Sequence, residues 1–251
     1  MSRQVFVHLL PVLFEPADLQ GGVAVVIDVL RATSTIIHAL AAGAECVVPC
    51  GEIDEARRVA VQSPAGTVLL GGERGGLKVS GFDLGNSPVE YDSGKVRGKR
   101  IVMSTTNGTR AMIRARGARR VLIAALINSA AAAQMLACES GPVHFVCAGT
   151  DGHITLEDVL CAGGIARRLG LAGGDFDTND DATQLALNLY ETCGRDYDLA
   201  LHVLRSSRGG RNLMDCGLGS DIAVCAKENR FAIVPELFGD SWEIRIAGNR
   251  P

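Results

Sequence analysis

In VVIDVLRATST (25–35), Asp28 closes an apolar run, Arg31 follows three residues on, and Thr33, Ser34 and Thr35 open the next element. A carboxylate at the C-terminal edge of a parallel strand sits where open α/β sheets bind ligands. Asp28 is thus the leading candidate for a metal ligand or nucleophile, with a turn-capping aspartate as the rival reading. Arg31 has the fork geometry to clamp an anion. A second stretch, IVMSTTNGTR (101–110), carries the neutral series Ser104, Thr105, Thr106, Asn107, Gly108 and Thr109. Such a loop presents free N–H groups and the positive end of a helix dipole to an anion. The same residues also serve as ordinary helix caps. Laid over each other, residues 25–49 and 101–124 pair Thr35 with Thr109, Gly43 with Gly117, Ala44 with Ala118 and Val47 with Val121, each 74 apart. The repeat favours a doubled anion cradle over two unrelated caps.

A third junction, FVCAGTDGHITLEDVLCAGG (145–164), gathers Cys147, Asp151, His153, Glu157 and Asp158. Thr155 and Asp158 have the spacing of a capping box, which leaves Asp151 and Glu157 as the freer carboxylates. Cys147 reads as a core thiol, because CAGTDGH lacks the arginine that would lower its pKa. His153 is a candidate acid or base, although a lone loop histidine more often is merely exposed or capping. Glu73, Arg74, Lys78 and Asn86 lie among the glycines of residues 71–94, which read as one long functional loop. Arg208, Arg211 and Asn212 lie in a second Gly-rich stretch at 206–221. Together these residues describe a site for a small anionic molecule, with carboxylates enough for a divalent ion. The acidic run at 173–181 reads as a solvated connector and helix cap, since it lacks the closing glutamate of a calcium loop.

These residues need a frame. Short Val- and Ile-rich runs at 4–10, 23–30, 46–49, 67–71, 100–103, 120–127 and 143–148 read as buried strands. Helical patterns at 33–42, 52–62, 107–116 and 128–139 alternate with them, and residues 155–169 and 181–204 continue as helix before a strand-like 230–248. Alternation of this kind predicts an α/β fold, three-layer α/β/α, with a largely parallel sheet and an internally repeated strand-loop-helix-strand unit. With 251 residues, a single domain is expected, with two intimate lobes (about 1–140 and 141–251) as the alternative.

A net charge of −3 excludes nucleic acid and membrane surfaces as partners, because their binding draws on clustered Lys and Arg. No window approaches the roughly 18 apolar residues of a membrane span, and the N-terminal residues have no secretory pattern, so a cytoplasmic protein is expected. Eight cysteines without paired CxxC spacing read as reduced core thiols. Self-association into a homo-oligomer is compatible with the apolar helices.

VVIDVLRATST, GGERGGLKVSGFDLGNSP (71–88), STTNGTRA (104–111), CAGTDGHITLEDVLCAG (147–163) and SRGGRNLMDCGLGSDIAVCA (207–226) together resemble the magnesium-dependent 2-phosphosulfolactate phosphatases, associated with coenzyme M biosynthesis. The resemblance covers essentially the full length. It implies hydrolysis of 2-phosphosulfolactate to sulfolactate and phosphate, with Mg2+ as cofactor. On that basis Asp28, with Glu157 or Asp158, is expected to hold the metal. Asp28, Arg31, Glu73 and Asp151 form the expected catalytic set. Thr33, Ser34, Thr35, Asn86, Ser104 to Thr109, Arg211 and Asn212 are the expected cradle. Water is favoured over Asp28 as nucleophile, because Val-Leu-Arg follows Asp28 where an aspartyl-phosphate enzyme of the haloacid dehalogenase type has DxD. The residues suit sulfonate and carboxylate alike, so phosphoglycolate or phospholactate are alternative substrates. A non-catalytic phosphate- or sulfonate-binding protein is the alternative from another class.

Overall fold

The computed structural model describes residues 2–171 and 176–248. In chain order the elements are β1 (Arg3–His8), β2 (Val23–Ile27), α1 (Ala32–Ala41), β3 (Cys46–Cys50), α2 (Ile53–Val61), β4 (Val68–Arg74), β5 (Leu77–Lys78), α3 (Ser93–Val96), β6 (Arg100–Ser104) and α4 (Gly108–Arg114). There follow β7 (Arg120–Ala124), α5 (Ser129–Ala137), β8 (Val143–Cys147), α6 (Leu156–Leu171), β9 (Phe176–Asp177) and α7 (Asp181–Leu189). The last are α8 (Tyr197–Ser206), α9 (Arg208–Asp215), α10 (Ser220–Cys225), β10 (Pro235–Phe238) and β11 (Glu243–Ile246).

The side chains of β2 alternate between two cores, as the two-residue period of a strand requires. Val23, Val25 and Ile27 pack with Ala132 and Leu136 of α5 and Leu160 and Ile165 of α6. Ala24 and Val26 pack with Ile36 and Leu40 of α1 and Ala111 and Met112 of α4 on the opposite face. Helices therefore cover both faces, which is why β2 reads as continuously apolar. The predicted three-layer α/β/α arrangement is present. No described helix is long and apolar enough to cross a membrane.

The strand order is β5-β4-β6-β3-β11-β10-β7-β2-β8-β1-β9. Strands β4, β6 and β3 are parallel to one another, as are β7, β2, β8, β1 and β9. Between the blocks lies the β10–β11 hairpin, antiparallel within itself and to both neighbours. Three successive reversals make the blocks run in opposite senses. The sheet also interleaves the chain, placing β8 between β2 and β1, and β10–β11 between β3 and β7.

Both repeated units are strand, loop, helix and strand, and each crosses from one block to the other: β2-α1-β3 and β6-α4-β7. The offset between them is 77 at the first strand (100−23), 76 at the helix start (108−32) and 74 at the second strand (120−46). Hydrogen bonding refines the sequence pairing. Asp28 N–H donates to Thr33 Oγ1 at 3.0 Å, and Thr105 N–H donates to Thr109 Oγ1 at 3.4 Å, so Thr109 answers to Thr33 and not to Thr35.

Two Gly-rich stretches depart from the expected picture. Residues 71–94 are not loop throughout, since β4 runs to Arg74 and turns back through Gly75 and Gly76 into β5. Glycine is required in this strand because a Cβ on Gly72 would lie 2.1 Å from the Ser104 carbonyl oxygen. Residues 208–215 form α9, capped by Ser207, whose Oγ accepts from Gly210 N–H. A Cβ on Gly210 would lie 1.9 Å from the Leu204 carbonyl oxygen, so glycine there serves close packing of α9 on α8. Part of the acidic run at 173–181 lies outside the described residues; within them, Asp180 caps α7 by accepting from Thr183 N–H.

Candidate active site

The loops leaving β2, β4, β6 and β8 reach one cavity of about 260 Å³, closed on its remaining side by α9. Asp28, Arg31, Glu73, Asn86, Thr106, Asn107, Asp151 and Asn212 all line it. The structure thus brings together every residue of the expected catalytic set and four of the expected cradle. Asp215 and Cys216, which the sequence did not single out, complete the α9 wall.

Asp28 is held by its own loop: Ala32 N–H donates to Oδ1 at 3.2 Å, and Thr33 Oγ1 donates to the Asp28 carbonyl at 2.9 Å. A Cβ on Gly108 would lie 2.8 Å from Asp28 Oδ2, so the second copy of the repeat packs its helix start onto the carboxylate of the first. Burial pushes the Asp28 carboxyl up to about 8, with the carboxylate of Asp158 adding to the effect. Glu73 is fixed by two backbone donors, Thr106 N–H on Oε1 at 2.8 Å and Gly76 N–H on Oε2 at 2.9 Å. Asn86 Oδ1 and Thr106 Oγ1 are buried in the cavity wall without a hydrogen-bond partner among the described residues. Buried polar atoms are rarely left unpaired, so two on one wall mark where a polar ligand would bind.

Other expected residues do different work. The hydroxyls of Thr33 and Ser34 donate to the carbonyls of Asp28 and Val29, and Thr35 donates to the Asn86 carbonyl. All three are fully buried and fix the loop rather than line the cavity. Ser104 Oγ accepts from Arg74, Thr105 and Thr109 bond each other at 3.1 Å, and Gly108 packs behind Asp28. The cradle is therefore narrower than expected, because most of these hydroxyls are spent on the backbone.

Arg31 is not a free clamp. Its Nη1 donates to Asp221 Oδ2 at 2.7 Å and its Nη2 to the Gly76 carbonyl at 2.7 Å, and a cis peptide bond joins Leu30 to Arg31. Asp221 also accepts from Ser87 Oγ at 2.7 Å, so this buried carboxylate ties the Asp28 loop to the segment carrying Asn86. Sequence reasoning missed Asp221, since its partner lies 190 positions away.

Glu157 and Asp158, the expected metal ligands beside Asp28, are buried behind the cavity wall rather than on its lining, and Glu157 Oε2 has no hydrogen-bond partner among the described residues. Asp158 Oδ1 accepts from Val29 N–H at 2.8 Å, while Oδ2 accepts from Gly149 N–H at 3.0 Å and Thr155 Oγ1 at 3.3 Å. It pins the ends of two adjacent strands together. Glu157 sits behind Gly209, whose Cβ would lie 2.2 Å from Oε1, and burial raises its carboxyl to about 7. Asparagine at 158 can accept only one of the two backbone donors. We expect Asp158→Asn to lower stability by about 2 kcal/mol in urea unfolding at about pH 3.5, where the carboxyl is protonated in the folded chain and mostly so in the unfolded one, so that no titration difference offsets the lost bond; unchanged stability there would contradict the pinning role.

The Cys147 thiol is pushed well above its ordinary range by burial, which supports the core-thiol reading. Arg211 lies outside the cavity, its guanidinium bonded to the Ser206 carbonyl. Among the described residues, no group of three or more His, Cys, Asp or Glu side chains is arranged to hold a metal.

A family model described as 2-phosphosulpholactate phosphatase matches residues 9–239. The chain belongs to this family. It is 44% identical over 219 residues, 87% of this chain and 92% of the relative, to a protein of Symbiobacterium thermophilum named "Probable 2-phosphosulfolactate phosphatase". A Deinococcus radiodurans protein of the same name is 46% identical over 217 residues, 86% of this chain and 87% of its own. A Synechococcus relative, again of that name, is 45% identical over 217 residues, 84% and 87%. Membership makes the chain a phosphoric monoester hydrolase, and the match takes in every loop that reaches the cavity.

Proposed function

We propose that this phosphatase hydrolyses 2-phosphosulfolactate, the substrate named for its relatives, and that it does so with Mg2+. The charge inventory of the cavity carries the reading: Asp28, Glu73, Asp151 and Asp215 line it against a single arginine, itself paired with Asp221. Acid walls repel a phosphorylated, sulfonated acid unless a cation intervenes. Mg2+ fits the donor set, because it takes one or two protein carboxylates and completes its shell with water and substrate phosphate. Asp28 and Glu73 would hold it, and the unpartnered carbonyl of Asn86 is a neutral oxygen at the same wall. When bound, the ion would polarise the phosphoryl oxygens and screen their charge.

The chain's own residues supply the rest. Arg31, fixed by Asp221 and Gly76, orients along the wall and stabilises charge on the phosphoryl group. Asp151 is exposed at the cavity rim, where it accepts a proton from the water whose oxygen bonds to phosphorus; the bond from phosphorus to the substrate oxygen breaks, and the leaving alkoxide takes a proton from solvent to give the alcohol. Asn107 Oδ1 holds the Asp151 backbone N–H at 3.2 Å and so sets that carboxylate's position. Phosphate release from 2-phosphosulfolactate, phosphoglycolate and phospholactate, each with Mg2+ and with excess chelator, tests the reading. Chelator-sensitive release favouring the sulfonate supports it, and no release from any of the three by folded protein overturns it.

A further inference from the structure

Beside the acid cavity lies a second hollow, of about 490 Å³, lined by Arg208, Arg211 and His153 together with Ser206, Ser207 and apolar side chains. Among the described residues, no carboxylate lines it. In a chain of net charge −3, two arginines with no acid in one hollow make a local inversion of sign.

The two hollows share the same two segments and are lined by neighbouring residues of each. On α9, Arg208 and Arg211 stand three residues apart and share a face, while Gly209, Asn212 and Cys216 line the acid cavity. In the loop after β8, Asp151 lines the cavity and the next two residues, Gly152 and His153, line the hollow. Asp151 and Gly152 both have positive φ, 54° and 76°, which folds the loop over at the boundary. Consecutive residues of this loop thus line the two hollows. Ser207 Oγ donates to the Leu204 carbonyl at 2.7 Å and accepts from Gly210 N–H at 3.0 Å, fixing the start of α9 and the base of both arginines. Arg208 and His153 have no side-chain hydrogen bond or ion pair among the described residues, so both remain available to a ligand.

We infer that the basic hollow receives the sulfonate of the substrate while the acid cavity receives its phosphate; this assignment rests on the proposed activity. A sulfonate is ionised at every physiological pH, is a weak ligand for Mg2+, and offers three oxygens to guanidinium forks. The acid cavity repels it. A phosphate, by contrast, suits a carboxylate-held cation. Opposite signs on two adjacent linings would thus orient a molecule carrying two different strong anions.

2-Phospholactate differs from 2-phosphosulfolactate in lacking the sulfonate, which makes it the control. In the Arg208→Ala/Arg211→Ala double variant, the ratio of kcat/KM for 2-phosphosulfolactate to that for 2-phospholactate is expected to fall at least tenfold, chiefly through KM. Arg208→Lys/Arg211→Lys should recover part of it. An unchanged ratio, whether both activities fall together or neither does, overturns the assignment, as does a loss as large on phospholactate, which would place the carboxylate there. If the wild type cleaves neither compound, the activity reading fails separately, and calorimetry with 3-sulfolactate decides the hollow. Binding that is lost in the double variant supports it; absent or equal binding overturns it.

Discussion

Asp28→Asn is expected to reduce kcat for phosphate release by about 10³-fold or more while raising the thermal midpoint of the metal-free protein, less at pH 6 than at pH 8.5. The two effects come from the same carboxyl. Asp28 lines the cavity next to Glu73 and Asp151, so it is placed either to hold the cation or to attack phosphorus, and an amide does neither. Its burial, with Asp158 close by, raises the carboxyl to about 8. The folded protein without metal therefore loses stability through this group as pH rises from about 4, where the unfolded chain ionises it, to about 8, and the loss is complete above that. An asparagine keeps the acceptor that Ala32 N–H uses and removes the charge. Each pKa unit corresponds to about 1.4 kcal/mol, and because Asp28 shares its titration with neighbouring acids a gain of about 2 kcal/mol is the reasonable scale. For a chain of this size that is a rise of about 4–8 °C in Tm. Phosphate release and thermal unfolding of the metal-free variant at pH 6 and pH 8.5 test both halves. Retained turnover would remove Asp28 from the chemistry, and a lower Tm at pH 8.5 would show its charge to be structurally stabilising.

How far the sequence foretold this site depended on the range of the interactions involved. The seven strands read from Val- and Ile-rich runs are present because burial leaves a local signature, complete on both faces in β2, β3 and β8. Asp28 was legible for the same reason, as the polar residue ending such a run. Glu73 and Asn86 were legible as polar residues among glycines, although those glycines serve strand crowding at Ser104 as well as ligand access. The roles of Thr33, Ser34 and Thr35 were not legible, because whether a hydroxyl faces a ligand or a carbonyl depends on loop geometry that residue type does not encode. Arg31 read as a clamp because Asp221 is remote in sequence. Asp158 read in two ways, cap or metal ligand. Its actual use, gripping the backbone after β2 and after β8, needs the strands to be adjacent first. Residues 230–248 read as strand-like, but the place of the β10–β11 hairpin at the centre of the sheet had no local marker, since strand neighbours are chosen by the whole fold.

Removing Mg2+ is expected to abolish turnover, and the stabilisation that Mg2+ confers on the folded protein is expected to grow with pH between 6 and 8.5. The sign follows from three carboxyls. Asp28 and Asp158 are raised to about 8 and Glu157 to about 7, burial being the first cause for each. In the unfolded chain they titrate near 4. Between these limits the folded state binds more protons than the unfolded one, so the metal-free protein is most stable below pH 4 with respect to these groups. It loses that advantage as pH rises towards 8. Each retained proton contributes a slope of about 1.4 kcal/mol per pH unit. A divalent cation on Asp28 and Glu73 competes with the proton on Asp28, and its apparent affinity must rise as that proton is lost. Saturating Mg2+ should therefore shift Tm little at pH 6 and by several degrees at pH 8.5. In Asp28→Asn the shift should be small and independent of pH. A shift of equal size at both pH values in the unmodified protein would mean that the ion binds away from the titrating carboxyl. Loss of activity on chelation without any thermal effect would place the ion with the substrate alone, bound through phosphate rather than through the protein.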